Sequence, residues 1–370
     1  MLWDRRFGWL VFTYEDVAAG LKDPRLSARR PSAEDPIPRV LQPIAADVRE
    51  LRSRQGKWLL CADPPRHTRL RGLIGTAFSP RIVERLRLHV QNVVDVLLDR
   101  AAKARRLDVI ADLAYPLPAT IIAELLGVPS IDLDQFKAWS DDIAGSFTLA
   151  PETMRRANAA LRDLTAYVAG LVAEHRLKPG DTLLDDLLSQ SASDALDEEE
   201  LLAQCVMLLF AGHETTTNLI GNGALALLRN PDQMARLQTR PDLIESAVEE
   251  LLRFDSPTQA TFRSVAEDFE LRGQHLRRGE PVLLMLGSAN RDPKQFAEPD
   301  TLDFMRRDNR HLAFSHGPHF CLGAALARLE GQLALGTLVR RFPNLSLTET
   351  DLQWRPNVFL RGLAALPVSV

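Results

Sequence analysis

Cysteine is scarce: Cys61, Cys205 and Cys321 are the three in 370 residues. An odd, sparse set without a C-x-x-C pair excludes a disulfide framework and a cysteine-rich zinc site. It fits a reducing cytoplasm. Lysine is scarce too, with six among 45 basic residues, and the net charge is −4. That balance offers no global electrostatic case for nucleic acid. Long apolar runs are missing. The most apolar stretch, 201–211, contains Gln204 and stops at Gly212-His213-Glu214, well short of the ~20 residues of a spanning helix. Residues 1–8 lack the basic-then-apolar pattern of a signal peptide.

What is present is the make-up of a globular protein, 45% hydrophobic and 25% charged, which excludes a disordered or fibrous chain. The length suits either several domains of ~100–200 residues or a large single one. No repeat, low-complexity tract or linker interrupts it, so one domain over 1–370 is expected. Periodicity predicts helices at 14–22, 67–78, 80–103, 118–126, 132–147, 151–176 and 198–228, and another from 324 to just before Pro343. Asp197 with Glu200 reads as a helix cap and capping box, and Pro231 and Pro241 each open a short helix. Strands are expected at 9–13, 262–265, 269–271 and 282–286, with turns at Arg272-Gly273 and Arg278-Gly279. Residues 24–60 read as loop broken by a short helix. Residues 291–320 show no periodicity, and a structureless stretch of about 30 residues inside a domain is usually functional. The fold class is therefore mainly α with small β-sheets.

Four constellations carry chemistry. Phe314-Ser-His-Gly-Pro-His-Phe-Cys-Leu-Gly323 sets Cys321 just ahead of a helix, whose N–H groups and dipole favour a thiolate, the metal-binding form. His311, His316 and His319 lie near, without ordinary zinc spacing. Ala211-Gly-His-Glu-Thr-Thr216 interrupts a long helix with poor helix formers, and threonine hydroxyls bonding back to the helix can widen such a turn. Glu250-Leu-Leu-Arg253 shares a helix face in an apolar setting. Asp63-Pro-Pro-Arg-His-Thr-Arg-Leu-Arg71 projects His67 and Arg71 from one face. Taken singly, each has an ordinary structural explanation.

Together, in this order, they resemble the cytochrome P450 family of haem-thiolate monooxygenases, in its soluble bacterial form. The loop matches Phe-x-x-Gly-x-x-x-Cys-x-Gly, and the resemblance runs over nearly the whole chain. It implies the cytochrome P450 fold, with haem between the long central helix and the helix after the cysteine loop. It implies Cys321 as the iron ligand. Thiolate ligation pushes electron density onto iron and favours O–O cleavage. It implies Phe314, His319, Gly323, Ala211 and Gly212 around the haem, and His67, Arg71 and Arg263 (with His319) on its propionates. It implies Glu214 and Thr215 as an acid–alcohol proton relay, and Glu250, Arg253 and Arg306 as an ion-pair core. The family usually has glycine where Ser315 stands. If that position needs positive φ, serine is strained there by ~1–3 kcal/mol. The chain opens almost on its first strand, so a slightly short N-terminus is expected.

The function implied is insertion of one atom of O2 into a hydrophobic small molecule, by hydroxylation or epoxidation. Heme b is the cofactor. Electrons come ultimately from NAD(P)H through a ferredoxin or flavodoxin and its reductase, docking near Arg66, Arg69, Arg307 and Arg328. Segments 40–60, 139–150, 206–210, 257–262 and 358–359 are apolar enough to wall the substrate pocket. The expected state is a cytoplasmic monomer with no membrane or nucleic-acid partner. A peroxide-driven peroxygenase would not need Glu214 and Thr215, and a non-catalytic haem carrier or sensor would leave that pair unexplained.

Overall fold

The structure, a computed structural model, describes every residue except 33, 36, 38, 105, 149 and 190–195. Parts of the expected loop 24–60 and of the apolar segment 139–150 therefore lie outside the described residues. The helices, in chain order, are α1 (Tyr14–Gly20), α2 (Ala45–Gln55), α3 (Arg66–Gly75), α4 (Pro80–Arg85), α5 (Arg87–Ala104), α6 (Pro116–Leu125), α7 (Leu133–Gly145), α8 (Pro151–Leu177), α9 (Leu183–Ser189), α10 (Glu198–Arg229), α11 (Pro231–Thr239), α12 (Ile244–Phe254), α13 (Leu286–Ala289) and α14 (Ala324–Arg341). The strands are β1 (Leu2–Asp4), β2 (Gly8–Val11), β3 (Leu26–Ser27), β4 (Leu107–Asp108), β5 (Thr261–Val265), β6 (Phe269–Leu271), β7 (Gln274–Leu276), β8 (Pro281–Leu284), β9 (Ser346–Leu347) and β10 (Pro367–Ser369). The chain is mainly helical with small sheets, as its patterning predicts. The expected helix 80–103 is two helices, α4 and α5, broken at Leu86. Among the described residues no helix is long and apolar enough to cross a membrane.

The chain divides into two compact units. The first comprises Met1–Leu26, Phe78–Pro118 and Thr215–Val370. Its main sheet has the order β1-β2-β8-β5-β3. β2 runs parallel to β8, with Trp9 opposite Val282, and β5 runs antiparallel to β8, with Arg263 opposite Val282. Alternation turns Val11, Val265, Val282 and Leu284 into a core shared with Val17 and Leu21 of α1. The β6–β7 hairpin turns on Arg272 (φ 52) and Gly273 (φ 72), the two left-handed residues of a tight hairpin turn. A second sheet has the order β4-β10-β9. α14 packs on α5, α11 and α12. The later half of α10 approaches α14 closely at Gly331, where a Cβ would lie 3.0 Å from Leu219.

The second unit comprises Ser27–Ala77 and Ala119–Glu214. There α8 packs on α7, α2 and α9. Asp197 caps α10 as its sequence predicts, with Oδ1 accepting the Glu200 N–H at 2.7 Å. The Glu200 carboxylate is taken instead by Arg69 Nη2, at 2.5 and 2.6 Å, and by Arg66 Nε at 3.4 Å. An arginine fork satisfies a carboxylate more strongly than one backbone N–H does, so the capping box is not completed in its usual form. Buried Gln204 accepts from Leu59 N and donates to Lys57 O, both at 2.8 Å.

Candidate functional site

The segment 291–320 is irregular but heavily bonded, which is how an aperiodic stretch keeps a fixed shape. In the first unit it delivers Cys321 half-buried ahead of α14. The Cys321 N–H donates to Phe314 O at 2.8 Å, and Phe320 N–H to Gly317 O at 3.0 Å. These bonds fold the loop back on itself. Gly317 takes φ +72 and Ser315 φ +64. Position 315 thus requires the left-handed conformation that glycine adopts freely and serine does not. The Ser315 Oγ is buried and meets no partner among the described residues. Around Gly323 there is open space: a Cβ built there has no heavy atom within 4 Å. His319 closes a short 3-10 turn, Gly317–His319, one residue before Phe320.

The loop is anchored by a buried ion-pair core. Glu250 and Arg253 on α12 are 1% and 0% exposed, and their forks meet at 2.8 Å on both arms. Arg306 Nε reaches both Glu250 oxygens, at 3.2 and 3.1 Å, and Asp303 N donates to the same carboxylate at 3.0 Å. Arg253 also holds the carbonyls of Asn290, Pro299 and Thr301. The structure thus brings Glu250, Arg253 and Arg306 together and ties them to the segment that precedes the cysteine. Sequence reasoning missed a neighbouring set. Glu249 takes a two-armed bond from Arg328, at 2.7 and 2.8 Å, and His311 Nε2 lies 3.2 Å away. Burial alone would raise the Glu249 carboxyl, but the bonds from Arg328 and His311 bring it down to about 2. The signal available in the sequence was the doubled acid Glu249-Glu250 on one helix.

α10 carries the acid–alcohol pair. From Gln204 to Leu227 every residue is buried except Ala211, Gly212 and Thr215. Ala211 and Thr215 are one turn apart and share a face, so an interior helix is left uncovered at one patch, beside buried Glu214. α10 runs as one continuous α-helix through 211–216. Tertiary packing of the buried residues on either side overrides the poor helix propensity of Gly-His-Glu-Thr-Thr. Gly212 has a packing role as well, since a Cβ there would lie 2.8 Å from Ile122. In the second unit Phe210 stacks at 5.8 Å on Trp58 and tilts at 6.3 Å against Phe147. An aromatic cluster therefore precedes the open patch by one residue.

Buried cations complete the set. Arg263 on β5 is 4% exposed, with Nη1 donating to Thr261 Oγ1 at 3.1 Å and Phe262 O at 2.8 Å. His67 is buried on α3 in the second unit, one turn before half-buried Arg71. Of the arginines expected to dock a partner, Arg66 and Arg69 engage Glu200 and Arg328 engages Glu249. Arg307 is exposed. Cys205 is an ordinary buried thiol, pushed up to about 12 by burial. No cluster of three or more His, Cys, Asp or Glu among the described residues is placed to hold a metal. In the first unit, half-buried Cys321 ahead of α14 and buried Arg263 on β5 are a thiol and a cation of the kind that hold an iron macrocycle bearing carboxylates; in the second, buried His67 and half-buried Arg71 are cations of the same kind.

The family model described as cytochrome P450 matches residues 42–358. Cytochrome P450 107B1 of Saccharopolyspora erythraea is 44% identical over 370 aligned residues, covering 97% of this chain and 88% of that protein. Cytochrome P450 monooxygenase PikC of Streptomyces venezuelae is 41% identical, covering 97% and 84%. The crystal structure of P450BioI, in complex with an acyl carrier protein bearing hexadec-9Z-enoic acid, superposes with a TM-score of 0.90 at 40% identity, covering 98% and 92%.

Proposed function

The chain belongs to the cytochrome P450 family and is a haem monooxygenase, and we propose that Cys321 is the thiolate that ligates its iron. The observation that carries this reading is the Cys321 loop. It is held half-buried at the start of α14, anchored by Glu250, Arg253 and Arg306, and open at Gly323. When bound, the haem supplies dioxygen activation. Each side chain then has a definite task. Cys321 keeps its sulfur deprotonated at the N-terminal end of α14, where the helix dipole favours an anion. Arg263, His67, Arg71 and His319 would neutralise the propionates. Phe314, Gly323, Ala211 and Gly212 would contact the ring.

Thr215 Oγ1 would donate a hydrogen bond to the reacting oxygen, and the Glu214 carboxyl would replace the proton it passes on. Glu214 is buried whereas Thr215 is not, which is the arrangement a relay from an interior acid to a reacting centre requires. Thr215→Ala should leave haem binding intact, slow product formation and release peroxide in its place. Unchanged coupling of electron consumption to product would refute the relay.

We assign the substrate to the hydrophobic small molecules, because Trp58, Phe147 and Phe210 cluster next to Ala211. One atom of dioxygen enters it, by hydroxylation or epoxidation. The enzyme takes its electrons from redox partner proteins. We assign this role to a ferredoxin or flavodoxin, reduced ultimately by NAD(P)H in the cytoplasm, on the face that carries exposed Arg307. Electron transfer that ignores ionic strength would contradict docking by charge.

A further inference from the structure

We propose that Glu249, His311 and Arg328 form a second clamp that positions the cysteine loop by holding Phe314. The proposal rests on Cys321 being the iron ligand, and goes beyond it by assigning a task to groups outside the Glu250 core. Consecutive residues on a helix point about 100° apart, so α12 aims Glu249 and Glu250 at different parts of the same segment. Glu250 takes Arg306 and the Asp303 N–H on one flank. Glu249 takes His311 on the other flank and Arg328 on α14. One helix thus grips the loop before the cysteine and the helix after it.

The geometry passes this grip to Cys321 in few steps. The Arg328 guanidinium, fixed by its two-armed bond, lies 4.6 Å from the centroid of the Phe314 ring, within cation–π range. The His311 ring flanks Phe314 at 5.9 Å and the Phe320 ring at 6.3 Å. The Phe314 carbonyl in turn accepts the Cys321 N–H at 2.8 Å. His311 is oriented from both sides. Its Nδ1 accepts the Ala313 N–H at 3.2 Å, so Nε2 carries the proton and donates it to Glu249. His311 therefore links the backbone beside Phe314 to the carboxylate that fixes Arg328. These are positioning residues: they act on the sulfur through Phe314.

The test uses the holoenzyme and five variants: Glu249→Gln, His311→Leu, His311→Gln, Arg328→Met and, as control, Arg341→Met. Arg341 bonds Asp99 at the far end of α14 and should matter only to global stability. One readout is the rate at which the reduced, carbon-monoxide-bound protein loses its thiolate-type band on warming. The other is amide exchange of the segments holding Ala313 and Cys321. His311→Leu, Glu249→Gln and Arg328→Met should speed both by roughly ten-fold, the factor expected from losing one charge-assisted, half-buried bond. His311→Gln keeps an N–H donor toward Glu249 and should restore most of the protection. Arg341→Met should lower the unfolding midpoint and leave both readouts unchanged. The clamp is refuted if His311→Leu behaves as wild type, or if Arg341→Met matches it. A wild type without the thiolate band would instead overturn the ligand assignment, and the exchange data would still decide the clamp.

Discussion

Ser315 sits at φ +64 with a buried hydroxyl that has no partner among the described residues, so replacing it should stabilise the protein. Two costs are separable. Holding an L-residue in the left-handed region costs about 1–2 kcal/mol. A glycine returns part of that gain through its greater freedom in the unfolded chain, leaving about 1 kcal/mol. The stranded hydroxyl costs about another 1 kcal/mol. Ser315→Ala removes only the hydroxyl and should gain about 1 kcal/mol, while Ser315→Gly removes both costs and should gain about 2 kcal/mol. Urea unfolding of the holoprotein measures both, because an unchanged slope makes the midpoint shift proportional to the stability gained. The spectrum of the reduced carbon-monoxide complex should not change, since the Cys321 N–H bond to Phe314 O does not involve the Ser315 side chain. A glycine variant no more stable than the alanine variant would refute the strain argument. An alanine variant no more stable than wild type would refute the hydroxyl argument.

Other consequences can be measured. Glu250→Gln leaves Arg253, which is 0% exposed, without its charge partner, and should cost about 3–5 kcal/mol in urea unfolding and release haem. A loss under about 1 kcal/mol would mean that the core is not coupled to the fold. Burial pushes the Glu330 carboxyl on α14 well above the carboxylate range, and the Thr216 hydroxyl offsets this only in part. The folded state therefore binds more protons than the unfolded state between the ordinary carboxyl range and the raised value, so stability falls as pH rises through that window. Glu330→Gln removes the titration. Its unfolding midpoint should fall less steeply than wild type as pH rises above the ordinary carboxyl range; parallel profiles would refute this.

Much of the fold was legible because long amphipathic helices announce themselves. The pattern from Glu198 to Leu228 ends within a residue of the observed α10 (Glu198–Arg229), and Pro231 opens α11 as expected. The two-residue strands β3, β4 and β9 were not legible, since so few positions show no alternation and their pairing is set by distant segments. The break between α4 and α5 left no proline or glycine to mark it. The candidate site stood out through fixed spacings, and Ser315 because its residue type disagrees with the φ its position requires. The clamp at Glu249 was hidden for the opposite reason. Glutamate, histidine and arginine at 249, 311 and 328 have no local spacing, and only folding of the loop onto α12 brings them together. The continuous α10 corrects a propensity argument: glycine and threonines weaken a helix, but burial on both sides holds it.

The most direct test of the whole account is the absorption spectrum of the reduced, carbon-monoxide-bound holoprotein, compared with that of Cys321→His. The native protein should show the red-shifted band of a thiolate-ligated haem, and the variant a histidine-type band in its place. A native protein without the thiolate band, or a variant that keeps it, would contradict the assignment of Cys321.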